Sequence, residues 1–158
     1  MSQVNEGRAS VSIRPARARE GERLREIARA AKGYWGYDAR RVREWAESLN
    51  FSVGALRRMD VYVAEADDRA IGWAALIPKG DVAWLDDLWV EPDWIGRGVG
   101  SLLFRRCRES AAELGAKTME WEAEPNTVGF YESLGARHLR DSEPTVWGRV
   151  LPVLGIDV

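Results

Sequence analysis

Val11-Ser12-Ile13-Arg14 alternates apolar with polar positions and predicts a short strand that Pro15 ends. Across Glu20–Lys32 the apolar residues Leu24, Ile27, Ala28 and Ala31 recur at helical spacing, with Gly33 placed to stop the helix. Tyr34-Trp35-Gly36-Tyr37 puts three aromatic residues in a loop. Asp38 then N-caps a second helix, Ala39–Leu49, whose Val42, Trp45, Ala46 and Leu49 share a face. Phe51–Arg58 adds a further helical turn. From Val61 the period shortens to two. Val61–Glu65, Ala70–Ile77 and Val82–Val90 read as strands joined by turns at Asp67-Asp68 and Pro78-Lys79-Gly80-Asp81, an antiparallel meander. Gly98–Leu114 is a long helix closed by Gly115, and Lys117–Ala123 is the next strand. The strand–helix–strand unit from Val82 to Ala123 predicts a parallel strand pair with a right-handed crossover. Thr127–Leu134 is a short helix closed by Gly135, and Ala136–Arg140 with Thr145–Leu151 reads as a final strand pair.

This order is an α+β layout with a mixed sheet, without repeats or low-complexity segments. Residues 1–9 read as a disordered lead and residues 10–158 as a single domain, long enough for a real core. A net charge of −2 gives no whole-chain footprint for nucleic acid, so none is expected as a partner. Cys107 is the one cysteine, which rules out a disulfide within the chain and fits a reducing cytoplasm. The first ten residues lack the apolar stretch of a signal peptide, and no run of ~18 apolar residues occurs, so a cytoplasmic protein with no membrane partner is expected. The eight tryptophans are expected mostly in the core or lining a cleft.

The stretch Leu85–Leu103 carries the chemistry. A strand broken by Pro92 runs through Gly96-Arg97-Gly98-Val99-Gly100 into a helix. The first N–H groups of a helix have no partner inside it, the macrodipole adds about half a positive charge there, and glycine leaves room for a phosphate. The turn therefore reads as the seat of a pyrophosphate in a large cofactor. A dinucleotide fingerprint is the rival, with Glu120 as its acidic residue. Against it, Glu91–Ile95 separates the strand from the first glycine, and a meander precedes the crossover unit where a doubly wound sheet is required. A P-loop is excluded, because no Gly-x-x-x-x-Gly-Lys-Ser/Thr occurs.

Two motifs in order, separated by one helix and one strand, resemble the Gcn5-related N-acetyltransferase (GNAT) superfamily of acyl-CoA-dependent acyltransferases. One is Leu88-Trp89-Val90-Glu91-Pro92 followed by Gly96–Gly100. The other is Glu124-Pro125-Asn126 followed by Gly129-Phe130-Tyr131-Glu132-Ser133-Leu134-Gly135-Ala136. Ile95 departs from the Gln or Arg frequent three residues before Gly98 in that family. The resemblance implies a mixed, mostly antiparallel sheet of about seven strands, with a central parallel pair joined by a helix and about four flanking helices. It also implies acetyl-CoA as co-substrate and no metal. N–H groups around Ile95, Gly96, Arg97, Gly98, Val99 and Gly100 would hold the pyrophosphate, with Ser101 adding a hydroxyl. Arg97 either points its charge at the phosphates or sits in solvent. Pantetheine would pair along Leu88, Trp89 and Val90, where the strand splays from Lys117–Ala123, and a bulge near Asp87–Trp89 would expose an N–H to the thioester carbonyl. Asn126 either binds the cofactor or caps the short helix.

Acyl transfer to an amine needs a proton donor for the thiolate and a base for the ammonium. Tyr131 is the candidate acid, because a phenol near its ordinary value of ~10 matches an alkyl thiol; the plain alternative is that it only packs. For the base, Asp86 and Asp87 lie on one strand, and Glu120, Glu122 and Glu124 lie on or just after the other. Strand alternation puts Asp86 and Asp87 on opposite faces. The resemblance favours Asp87, which matches an acidic position common before the Leu-x-Val step in that family, with Glu122 as a second candidate. His138 reads as structural, and Cys107, mid-helix, argues against a covalent cysteine mechanism. Tyr34, Trp35 and Tyr37 are candidates for caging a cationic acceptor, or plug the gap between two helices. The acceptor is expected to be a small-molecule or peptide amine, and dimers are common among such enzymes, which leaves a homodimer open. The reading is an N-acetyltransferase working in a ternary complex; the alternative is a non-catalytic acyl-CoA sensor on the same fold.

Overall fold

The computed structural model describes residues 10–158, and the lead expected over residues 1–9 lies outside them. The elements run β1 (Ser12–Pro15), α1 (Gly21–Tyr34), α2 (Ala39–Ser48), the single turn α3 (Val53–Leu56), β2 (Asp60–Ala66), β3 (Arg69–Lys79) and β4 (Val82–Val90). They continue with α4 (Val99–Glu113), β5 (Thr118–Glu122), α5 (Val128–Ser133), β6 (Arg137–Asp141) and β7 (Pro152–Asp157). The strands form one seven-stranded sheet in the order β1-β2-β3-β4-β5-β7-β6. Only β4 and β5 are parallel, as the crossover through α4 requires.

Each face of the sheet buries its own apolar cluster. Leu24, Ile27 and Ala28 of α1 pack on Val61, Val63, Trp73 and Ala75. On the other face, Val99, Leu103, Phe104 and Cys107 of α4 pack on Tyr62, Ala74, Leu76, Leu85, Met119 and Leu154. With both faces covered, β3 is buried without a break from Ala70 to Leu76, so a central strand reads as a continuous apolar run.

The α+β expectation holds, with local corrections. Gly33 does not stop α1, which runs on to Tyr34; the chain reverses at Gly36, where φ is +84°. Asp38 caps α2 as expected, its carboxylate accepting from the Arg41 N–H at 3.0 Å. Thr145–Leu151 is not a strand. Thr145 N donates to Arg149 O at 2.8 Å and Gly148, at φ +71°, turns the chain, so this stretch is a tight loop and the strand begins at Pro152. The Val-x-x-Arg-Val-Leu pattern imitates a strand, while proline is tolerated as a first strand residue.

The bulge expected near Asp87–Trp89 falls at Asp86: Leu85 pairs with Leu76, and Asp87 with Ala75. The extra residue overturns the prediction that Asp86 and Asp87 face opposite ways. Leu85 and Leu88, three apart, both pack on the α4 side, and the two aspartates between them lie together on the α1–α2 side, where both line a cavity with Phe51 and Trp73.

Trp73 locks α1 to the sheet: its indole N–H donates to Leu24 O at 2.8 Å, and Phe51 meets its ring edge-on at 5.4 Å. Trp73→Ala is therefore expected to cost roughly 3–5 kcal/mol, read as a lower midpoint in denaturant unfolding.

Candidate active site

β4 and β5 stay paired only from Val82–Thr118 to Trp84–Glu120. Beyond that, among the described residues, Leu85–Val90 pairs with β3 alone, and β5 turns its other edge to β7. A slot opens between them, with the free backbone edge of β4 as one wall. On one side of the slot lies a groove of about 410 Å³, and on the other a pocket of about 260 Å³. Lys32, Leu88, Trp89, Glu124 and Thr127 line both, so the two spaces meet at the slot.

The groove gathers ten of the residues expected to hold the co-substrate: Leu88, Trp89, Val90, Ile95, Gly96, Gly98, Val99, Gly100, Ser101 and Asn126. Gly96 and Gly98 have φ of +79° and +84°, a conformation that costs other residues strain. The first helical bond at this end runs from Leu102 N to Gly98 O at 3.1 Å, and among the described residues the N–H groups from Gly96 to Ser101 find no partner in the chain. A row of free N–H groups at the start of a four-turn helix fits a pyrophosphate. Arg97 is not in the groove; its guanidinium lies 4.9 Å from the Trp94 ring. Asn126 caps neither the single turn Pro125–Thr127 nor α5, which removes the capping alternative.

The pocket holds the acid–base candidates. Asp87 accepts from the Trp89 indole at 2.9 Å; burial, followed by the Asp86 charge beside it, pushes its carboxyl up to about 8. Glu122 lines the pocket but is exposed to solvent. Glu120 is taken by Arg140 at 3.0 Å and lies outside the pocket. Tyr131 also lines the pocket and is 7% exposed, packed among Phe104, Trp121 and Phe130. It is absent from the groove lining. Burial, with Cys107 behind it, holds the phenol above its ordinary range, contrary to the unshifted acid expected. Cys107 is fully buried and its thiol is pushed up to about 12, so no thiolate is at hand. His138 is exposed and pairs with Asp141 at 3.0 Å, remote from the slot.

The aromatic residues expected to cage an amine divide. Tyr34 is 57% exposed and lines neither space, while Trp35 and Tyr37 line the groove. The cage itself is built from Tyr37, Trp45, Trp89 and Trp147, and it encloses the Lys32 ammonium, 4.4 Å from the Trp45 ring centre and 4.7 Å from that of Trp147. Glu124 ties the assembly together, accepting from the Tyr37 hydroxyl and pairing with Lys32 at 3.4 Å and Arg149 at 3.1 Å. Burial works to raise the Glu124 carboxyl, but the Tyr37 hydrogen bond and the two cations hold it below its ordinary value. It therefore stays ionised, as a structural anion rather than a base. Sequence reasoning missed Lys32, Trp147 and Arg149. For Lys32 a signal existed: it lies four residues after Ala28, on the buried stripe of α1, where a cation demands a partner.

The family description "Acetyltransferase (GNAT) family" matches residues 22–136. The chain belongs to that family. An uncharacterized N-acetyltransferase of Methanocaldococcus jannaschii is 31% identical over 84 residues, 47% of this chain and 37% of its own length. The thialysine N-epsilon-acetyltransferase of Sus scrofa is 31% identical over 65 residues, 38% of this chain and 37% of its own length. The matches thus span less than two fifths of these relatives. Among solved structures, the PaiA N-acetyltransferase of Thermoplasma acidophilum in complex with coenzyme A superposes with a TM-score of 0.79 at 20% identity, covering 94% of this chain and 99% of that one. A Bacillus subtilis acetyltransferase in complex with CoA gives 0.72 at 17% identity, covering 94% and 99%. These likenesses show a GNAT fold.

The raised Asp87 carboxyl has a thermodynamic consequence. Between its ordinary 3.8 and about 8, the folded GNAT chain keeps a proton that the unfolded chain releases, so this group lowers stability as pH rises through that window. Asp87→Asn keeps the acceptor oxygen for Trp89 and removes the penalty. The variant is expected to raise the melting temperature at pH 8 and to lose most of that gain at pH 4, by scanning calorimetry.

Proposed function

We propose that this chain transfers an acetyl group from acetyl-CoA to a primary amine by direct attack in a ternary complex. The observation that carries the reading is the slot between β4 and β5, which joins an N–H-rich groove to a pocket of acids and tryptophans. Acetyl-CoA supplies an activated acyl carbon. Free N–H groups from Gly96 to Ser101 take the pyrophosphate, and the unpaired edge at Leu88–Val90 takes the pantetheine amides as an added strand. Crystallised GNAT relatives in complex with coenzyme A support this choice of co-substrate.

The acceptor side favours a cationic amine. Asp86, Asp87, Glu122 and Glu124 outnumber Lys32 and Arg149 around the pocket, and Trp84, Trp121 and Trp147 form its walls. Asp87 takes the proton from the incoming ammonium, because its raised carboxyl is closer in basicity to an amine than an ordinary aspartate is. Glu122, more exposed, is the second choice. Tyr131, which lines the pocket, stays protonated at neutral pH and serves as proton donor to the departing sulfur. Trp35, beside the groove, belongs to its wall, while Tyr37 lines the groove and also closes the cage around Lys32.

The first test is calorimetric titration with acetyl-CoA, NADH and NADPH as separate ligands. Micromolar binding of acetyl-CoA alone is expected; binding of NADH or NADPH in its place overturns the reading. Gly100→Leu is expected to abolish that binding, since even a Cβ at this position meets Phe130 at 3.2 Å. In an amine screen read by thiol release, turnover is expected to rise with pH through about 8, as Asp87 loses its proton. Asp87→Asn removes that rise, and Tyr131→Phe lowers kcat by roughly a hundredfold while leaving acetyl-CoA affinity within a few fold. Full turnover of Tyr131→Phe at every pH excludes the donor role.

A further inference from the structure

The cage beside the slot has the composition that recognises a cationic amine, aromatic faces plus a carboxylate, and the chain fills it with an amine of its own. Lys32 Nζ lies 4.4 to 5.7 Å from the ring centres of Trp45, Trp147, Trp89 and Tyr37, and 3.4 Å from Glu124 Oε1. The residue is 8% exposed and lines both the groove and the pocket, so its amine stands at the junction where an acyl group and its acceptor would meet.

Residue usage adds an independent observation. Among 23 basic residues, lysine occurs only at Lys32, Lys79 and Lys117. Arginine is the commoner cation over aromatic rings and does not lose its proton in proteins. A chain that uses arginine almost everywhere has, at this junction, the one cation that can become a nucleophile. Burial holds the Lys32 amine below its ordinary value against the pull of Glu124.

We propose that Lys32 is an acyl acceptor within its own chain, modified to Nε-acetyl-lysine from acetyl-CoA bound in the adjoining groove. The proposal rests on the acetyl-CoA reading above. The ammonium gives one proton to the pocket carboxylate Asp87. The amine lone pair forms the new N–C bond to the thioester carbonyl carbon, and the C–S bond breaks. The sulfur leaves with the bonding pair and takes a proton, so that the second amine proton is balanced by the thiol of CoA. The product amide is neutral and gives up both the Glu124 ion pair and the attraction to the rings. The tryptophan fluorescence of Trp45, Trp89 and Trp147 would report that change.

The full chain is incubated with acetyl-CoA without any added amine and followed by intact mass and peptide mapping. The expected result is one acetyl group per chain at Lys32, at least about tenfold faster than at Lys79 or Lys117, as proximity to the thioester dictates. The rate constant is expected not to change with protein concentration, and to fall in Asp87→Asn. In the protein without acetyl-CoA, NMR titration of the lysine side chains is expected to place Lys32 below the other two. Equal modification of all three lysines marks simple chemical acetylation and overturns the proposal. Unmodified Lys32 in a protein that binds acetyl-CoA and acetylates added amines overturns it and leaves the enzyme reading intact. Absence of acetyl-CoA binding removes both.

Discussion

Two central parallel strands that pair for three residues and then part are the constraint on which the rest of this molecule depends. An unpaired strand edge is normally a liability, because its N–H and C=O groups go without partners. Here the parting is enforced from both sides. The bulge at Asp86 bends β4 while it remains tied to β3, and β5 is held away by its five-residue pairing with β7. Phe104 of α4 sits beneath the opening, edge-on to Trp121 at 5.3 Å and beside Tyr131, so the floor of the slot is packed rather than open. The indole N–H of Trp121 is buried there with no partner among the described residues, a polar group left unsatisfied at a cost of about 1–3 kcal/mol.

Charge is arranged around the same opening with equal economy. Glu124 gathers Lys32 from α1, Tyr37 from the α1–α2 loop and Arg149 from the β6–β7 loop, so one carboxylate joins three segments far apart in sequence. Removing Glu124 would strand the buried Lys32 ammonium, which makes the cluster a positioning device more than a source of net stability. Asp87 is treated in the opposite way. It has a neighbouring aspartate and an apolar surround, and the fold accepts a destabilised carboxylate at the point where the proposed transfer takes up a proton. Two acids, one on β4 and one just past the end of β5, thus have different chemistry because of what packs against them.

Much of this was legible in residue order. The glycine turn, the meander, the crossover through α4 and the Asp38 cap follow from local rules: periodicity, φ > 0 at glycine and side-chain capping act over a few residues. The GNAT motifs likewise named the groove residues, and ten of them line one space. The losses occurred where local pattern and global pairing disagree. Val146-Trp147-Gly148-Arg149 reads as a strand, but the Thr145–Arg149 turn lifts it out of the sheet and carries Trp147 and Arg149 over the pocket. Asp86 and Asp87 read as pointing apart, because a bulge is a property of two strands in register and cannot be seen in one.

The sequence by itself determined the element order, the glycine turn with its free N–H groups and the residue types available around the slot, since each of these depends on neighbours within a turn or two of chain. Only the tertiary structure decided that β7 inserts between β5 and β6, which aspartate is the less exposed, and which amine occupies the aromatic cage. Those outcomes are set by packing and desolvation among segments up to a hundred residues apart, where hydrophobic periodicity carries no information.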